Sequence, residues 1–161
     1  MIECILHLGS NQGLKQKNIE LAELMISHFI GKVTDTSALY LTSAWGLENQ
    51  ADFLNKALIC QTRFEAEKVL HQIQLIEQKL GRVRLNKWEP RIIDIDIIFY
   101  GEEIIENENL KIPHSELTNR NFVLVPLLDI CANKIHPVLQ KTVRQLKEEC
   151  KDTGVVKHLE S

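Results

Sequence analysis

The stretch Ile92 to Tyr100, I-I-D-I-D-I-I-F-Y, is apolar and mostly β-branched or aromatic, broken only by Asp94 and Asp96. It is far shorter than the roughly 20 residues of a membrane-spanning helix, and its side chains favour a pleated sheet, so it predicts a central strand. Side chains alternate across a strand, which sends Asp94 and Asp96 to one face and Ile93, Ile95 and Ile97 to the other. Two like charges side by side in an Ile-rich strand ask for a counter-ion. Their Cβ atoms stand about 7 Å apart, close enough to bracket one hard cation or to share two held roughly 3.5 to 4 Å apart. Oxygen-only donors favour Mg²⁺ over zinc, and Mg²⁺ normally arrives with a polyphosphate. The plainer alternative is an edge strand whose carboxylates simply face water.

The other periodicities set this strand in the order β-α-β-β-α-β. Ile2 to Leu8 reads as a first strand, Gly9-Ser10-Asn11-Gln12-Gly13 as turn and N-cap, and Leu14, Ala22, Met25, Ile26 and Phe29 as a helical stripe ending at Gly31. Val33 to Thr42 predicts one second strand. Phe53 to Thr62 predicts a third, with Leu54, Leu58 and Cys60 on one face and Phe53, Asn55, Ala57 and Ile59 on the other. Between them, Ser43 to Asp52 forms a long loop of the kind that often carries function. Ala66, Val69, Leu70, Ile73, Ile76 and Leu80 mark a second helix over Glu65 to Leu80, with Gly81 as its cap. The order fits an α+β fold of ferredoxin-like split β-α-β type, an antiparallel sheet with helices packed on it, here expected on one face. Farther on, a short strand over Glu103 to Ile105 and helices over Asn121 to Ile130 and Lys141 to Lys151 are expected.

A chain of 161 residues with 44% hydrophobic side chains suits one domain spanning 1–161. The net charge of −3 argues against a nucleic-acid scaffold, and Met1-Ile2-Glu3-Cys4-Ile5 lacks the basic and apolar regions of a signal peptide. Cys4, Cys60, Cys131 and Cys150 form no C-x-x-C pair and read as reduced thiols. The expectation is a cytoplasmic monomer with small-molecule substrates and neither nucleic-acid nor membrane partners.

Basic residues gather where a polyphosphate would need them. Arg82, Arg84, Lys87 and Arg91 immediately precede the aspartate strand, and His114 and Arg120 follow it. A guanidinium fork holds two phosphate oxygens, so such a cluster beside acidic metal ligands suits phosphoryl or pyrophosphoryl transfer. No P-loop or kinase-type glycine loop is present. Asn55 either bonds neighbouring backbone or reads the edge of a heterocycle stacked on Phe53. Gln74 and Glu77, three apart on the second helix, read by pattern as a solvated flank. His7, His28, His71, His136 and His158 show no metal spacing and receive no role. The rival readings are a ferredoxin-like RNA-binding or ligand-sensing module and a nucleotidyl transferase built on the same two aspartates.

Taken together, several motifs resemble those of the 6-hydroxymethyl-7,8-dihydropterin pyrophosphokinase family of folate biosynthesis. They are His7-Leu8-Gly9-Ser10-Asn11, Phe53-Leu54-Asn55, Glu77-x-x-x-Gly81-Arg82-Val83-Arg84, Pro90-Arg91-x-x-Asp94-x-Asp96, Pro113-His114 and Asn119-Arg120-Asn121-Phe122. The resemblance implies transfer of a pyrophosphoryl group from ATP to the pterin alcohol, with Asp94 and Asp96 binding two Mg²⁺. It implies catalytic parts for Arg82 and Arg91 beside the two aspartates, with Arg82 and Arg84 in a mobile loop. Nucleotide contacts would come from Gln74, Glu77, Arg84, Trp88, Arg91, His114 and Arg120. The pterin would lie between Phe53 and Phe122, its edge read by Asn55 and by Thr42, Ser43, Ala44 and Trp45.

Overall fold

The computed structural model describes residues 1–42, 52–81 and 92–159. Strand β1 (Ile2–Ser10) and strand β4 (Phe53–Thr62) form the centre of an antiparallel sheet, paired from Ile2 opposite Thr62 to Ser10 opposite Leu54. Strand β5 (Asp94–Tyr100) lies on the other side of β1. The far edge of β4 takes two short strands, β2 (Gly31–Thr36) and β3 (Tyr40–Thr42), and β3 is followed outward by β8 (Val156–His158). A separate two-stranded ribbon joins β6 (Ile105–Glu106) to β7 (Lys111–Ile112).

Val33 to Thr42 is therefore two strands rather than one. Ser37 interrupts it: its backbone N–H donates to the Ala57 carbonyl at 2.8 Å and its hydroxyl accepts the Ala57 N–H at 2.9 Å. A side chain that takes over a backbone partner breaks the ladder and lets the chain restart on the same neighbour. The turn after β1 also differs from expectation. Helix α1 (Lys15–Phe29) has Leu14 at its N-cap with no side-chain cap, and Asn18 instead reaches back to the Gln12 carbonyl at 2.9 Å and the Ser10 hydroxyl at 3.2 Å.

Helices cover both faces of the sheet, where the sequence order suggested one. Cys4, Leu6, Leu8, Leu54, Leu58, Cys60, Ile95 and Ile97 pack against Ile19, Ala22 and Ile26 of α1 and Val69, Ile73 and Ile76 of α2 (Ala66–Lys79). The opposite face presents Ile5, Ala57, Ile59, Ile98 and Phe99 to a second cluster. That cluster comes from α3 (Asn121–Cys131) and α4 (Val143–Glu149), with Leu117 from the 3-10 turn Leu117–Asn119. Strand alternation on β1 and β4 thus serves two cores, and neither strand can slip by one residue without emptying both. Among the described residues no helix is long and apolar enough to cross a membrane.

Gly31 marks where α1 hands over to β2 at close quarters. A Cβ there would overlap the Gln61 carbonyl. Gly31→Ala is expected to cost about 3 kcal/mol by forcing β2 off β4, read as a lower midpoint in urea unfolding, and an unchanged midpoint would contradict the packing described.

Candidate active site

The register of β5 on β1 places the two carboxylates. Asp94 lies opposite Gly9 and Asp96 opposite His7, and β4 continues these rows with Asn55 and Ala57. Directly opposed residues in antiparallel strands share a face, so Asp94, Asp96, His7 and Asn55 all stand on the α3 side. Both aspartates are partly exposed, while Ile95 and Ile97 between and beyond them are buried on the other face. The edge-strand alternative is thus half right: among the described residues β5 ends the sheet on that side, but its carboxylates line a shared polar row.

Two contacts steady this strand. Glu77 is only 2% exposed, and its Oε2 accepts the Ile95 N–H at 3.0 Å, between the two aspartates. The flank reading of Glu77 is corrected by that burial: the side chain reaches inward to anchor the outer edge of β5 instead of facing solvent. On the other end, pairing shifts so that Leu6 meets Ile97 and Ile5 meets Phe99, leaving Ile98 as the extra residue of a bulge. The Ile98 carbonyl then accepts the His114 N–H at 3.1 Å. Bulges re-aim what lies beside them, and this one brings the His114 ring to Asp96, with Nε2 3.9 Å from Oδ1.

The His114 proton is located by its neighbours. Glu116 donates its N–H to Nδ1 at 3.1 Å, so in the neutral ring Nε2 carries the hydrogen and faces Asp96. Burial, followed by the nearby Arg120 charge, lowers the His114 pKa from its ordinary value, against the opposing pull of Asp94 and Glu116. Gln74, exposed on α2, lines one cleft with Asp96, Asn109, Lys111, His114 and Ser115 along the outer edge of β5. Arg120 adds a buried Nε–H that meets no acceptor among the described residues, and its guanidinium carbon lies 5.8 Å from the Phe122 ring centroid. An unmet guanidinium donor beside carboxylates and a neutral imidazole N–H is a donor set suited to phosphate oxygens. Among the described residues no third His, Cys, Asp or Glu joins the aspartates as a metal cluster. Two carboxylates with room for water and phosphate fit Mg²⁺, which keeps several non-protein ligands.

Beyond Asp94 the row continues with Gly9, where a Cβ would stand 3.1 Å from Asn55 Oδ1 and 3.6 Å from Phe53 Cδ1. Asn55, 1% exposed, donates through Nδ2 to the Thr42 hydroxyl at 2.8 Å, so its partner is a side chain rather than neighbouring backbone. Phe53 is half-buried at the start of β4, opposite Thr42. Phe122 begins α3 above this face, and its carbonyl accepts a hydrogen bond from His7 Nε2 at 3.1 Å. The residues 152–158 tie the two sides together. Asp152 accepts the Asn121 N–H at 2.9 Å, the Gly154 carbonyl accepts from Asn121 Nδ2 at 3.2 Å, and Val156 pairs with Thr42.

This arrangement has known counterparts. Residues 5–132 match the family described as 7,8-dihydro-6-hydroxymethylpterin-pyrophosphokinase (HPPK). The chain belongs to the HPPK family. The Aquifex aeolicus 2-amino-4-hydroxy-6-hydroxymethyldihydropteridine pyrophosphokinase is 39% identical over 149 residues, 92% of each chain. The Haemophilus influenzae protein of the same name is 35% identical over 158 residues, 98% of each. In fold, the crystal structure of wild-type Plasmodium falciparum HPPK-DHPS aligns with 92% of this chain and 44% of its own at TM-score 0.74 and 19% identity. The chain is thus an enzyme of the pyrophosphokinase family, and the candidate residues described above are distributed over β1, β3, β4, β5, the segment after β7 and the start of α3.

Of the residues expected from sequence, the described ones gather as two adjoining groups. Asp94, Asp96, Gln74, His114 and Arg120 stand toward one end and Thr42, Phe53, Asn55 and Phe122 toward the other, while Glu77, expected as a nucleotide contact, is buried with Oε2 on the Ile95 N–H. Ser43, Ala44, Trp45, Arg82, Arg84, Trp88 and Arg91 lie outside the described residues. Sequence reasoning passed over Gly9 as a site residue and left His7 without a role. The signal for both was the strand period itself, since His7 and Gly9 share the odd-numbered face of β1 with Ile5.

Burial lowers the His7 pKa from 6.5 to about 4, although the hydrogen bond to Phe122 and the charge of Asp94 oppose it. The unfolded chain therefore takes up this proton first as pH falls. The stability owed to neutral His7 is whole above 6.5 and drains away as pH drops through about 4. His114 and His136, both lowered mainly by burial, act in the same direction. Metal-free protein is expected to lose up to about 3 kcal/mol in urea melts across that window on account of His7, and His7→Leu to flatten the profile. A wild-type profile already flat there would contradict a buried neutral His7.

Proposed function

We propose that the Asp94, Asp96 and Phe53–Phe122 face is the centre at which this chain carries out the reaction of its family. That reaction moves a pyrophosphoryl group from ATP to the hydroxymethyl oxygen of 6-hydroxymethyl-7,8-dihydropterin in folate biosynthesis, and AMP leaves. The observation that carries the assignment is the row Asp94, Gly9, Asn55 on three adjacent strands, which sets a metal-type carboxylate in line with a glycine and a buried amide; the slot for a flat ring would be floored by that glycine. Asp94 and Asp96 would hold two Mg²⁺ between them and the ATP phosphates. When bound, the metal supplies polarisation of the phosphoryl oxygens and neutralises charge that grows as the β-phosphorus is attacked.

The chain's own groups do the rest by position. Phe53 and Phe122 would take the two faces of the pterin ring, a flat heterocycle whose donor and acceptor edge suits Asn55 and Thr42. Their hydrogen bond holds the Asn55 amide in one orientation before any ligand enters, so little ordering is left to be done on binding. Ser43, Ala44 and Trp45 would complete that edge. On the nucleotide side, Arg120 and the His114 Nε2–H would donate to phosphate oxygens, with Gln74 along the cleft. Glu77 acts through β5 by fixing Ile95, which sets the spacing of the aspartates. Arg84 and Trp88 would meet the nucleotide, and Arg82 and Arg91 would offset charge on the bridging oxygen as it leaves with AMP. In-line transfer between two bound substrates needs no covalent protein intermediate, so the catalytic gain is orientation plus electrostatics.

The deciding assay mixes protein, ATP, Mg²⁺ and 6-hydroxymethyl-7,8-dihydropterin and identifies the nucleotide released. AMP in step with pterin consumption is the expected result, whereas released inorganic pyrophosphate would mean nucleotidyl transfer instead. Asp94→Ala and Asp96→Ala are each expected to slow turnover by on the order of 10³-fold or more, and near-normal turnover in either would remove the metal assignment. Gly9→Ala is expected to fold normally, because its added methyl meets side chains only, and to raise the pterin KM about tenfold with the ATP KM little changed. Equal effects on both substrates would argue against the slot as the pterin site.

A further inference from the structure

Helix α3 contains Pro126, and a proline in a helix interior has no N–H for the carbonyl four residues earlier. That carbonyl belongs to Phe122. Its place as acceptor is filled from outside the helix: His7 Nε2 stands 3.1 Å away on β1, and since a carbonyl can only accept, Nε2 is the donor. The two rings also touch, with centroids 5.9 Å apart and planes inclined by 57°. His7 is 4% exposed and its strand position faces Asp96, so the side chain spans from the sheet floor to the helix that roofs the site.

We propose that His7 is a positioning residue that latches the start of α3 to β1 and thereby sets the height and tilt of the Phe122 ring over the pterin slot. The inference rests on the reading of Phe122 as one wall of that slot. A proline pushes the carbonyl it cannot serve outward from the helix axis, so the first turn of α3 is less constrained by its own ladder than an ordinary helix start. Val123 and Leu124 both donate to the Arg120 carbonyl, which closes the turn before Phe122. The bond from His7 restrains the Phe122 carbonyl from the rigid centre of the sheet. It comes from the strand that also carries Gly9, so floor and roof of the slot are referred to one element. A ring held at one height stacks with less loss of freedom than a ring free to rock.

The test compares His7→Leu, which keeps bulk and loses the donor, with His7→Gln, whose amide N–H reaches about as far as Nε2. Binding of 6-hydroxymethyl-7,8-dihydropterin is measured in the presence of a non-hydrolysable ATP analogue with Mg²⁺, and binding of that analogue alone is measured separately. One neutral hydrogen bond corresponds to about three- to tenfold in affinity. His7→Leu is expected to weaken pterin binding by that factor and leave the nucleotide within about twofold, His7→Gln to recover most of the loss, and His7→Leu to add nothing in a Phe122→Ala background. Native pterin affinity in His7→Leu would overturn the latch, as would parallel loss of both ligands without recovery by Gln, or the full effect persisting without the Phe122 ring. Phe122→Ala itself separates the two ideas: if it binds pterin normally, the wall assignment falls and the latch with it. If it binds poorly while His7→Leu binds normally, only the latch falls.

Discussion

Everything at the site is referred to β1. Its pairing with β4 on one side and β5 on the other sets Asp94, Gly9 and Asn55 in one row and Asp96, His7 and Ala57 in the next. Because strand side chains alternate with a period of two, a single-residue slip of β5 would turn both aspartates into the α1 and α2 core and bring isoleucines to the polar face. The apolar partners make that slip prohibitive. Ile95 and Ile97 are buried among α1 and α2 side chains, so the same packing that holds the fold together dictates where the carboxylates stand.

Three devices then refine what register alone provides. Glu77 blunts the outer edge of β5 with a buried carboxyl group that accepts a backbone N–H. The bulge at Ile98 frees a carbonyl that fastens His114 beside Asp96. Glycine at position 9 keeps a side chain out of the row between Asp94 and Asn55, where a Cβ would crowd the Asn55 amide. Each is local, and each acts on a different side of the same face.

The core of this arrangement was legible in the chain. Phe53 to Thr62 forms β4 with the two faces as read, and the D-I-D alternation survives intact because both depend only on period-two patterning. What the pattern missed depends on partners distant in sequence. Val33 to Thr42 carries strand-forming residues throughout, and nothing local reveals that Ser37 competes for the Ala57 backbone. Glu77 sits at a flank position of its helix, and only the arrival of β5 eighteen residues later makes that flank an interior. His7 shows no metal spacing, yet its partner is the Phe122 carbonyl, 115 residues away and one turn before a helix proline. The second helical layer was likewise hidden, since an apolar stripe on a helix does not say which side of a sheet it will meet.

The link formed by residues 152–158 bears on how the slot keeps its width. One end is bonded to Asn121 at the head of α3 and the other runs beside Thr42 on β3, so opposite jambs of a doorway are braced by one short lintel. A sheet and a helix that meet only through apolar packing can shear past each other by small amounts, whereas a cross-piece bonded to both resists spreading. The aperture through which a flat ring would pass is thus gauged by a stretch of chain that contributes no side chain to the ring itself.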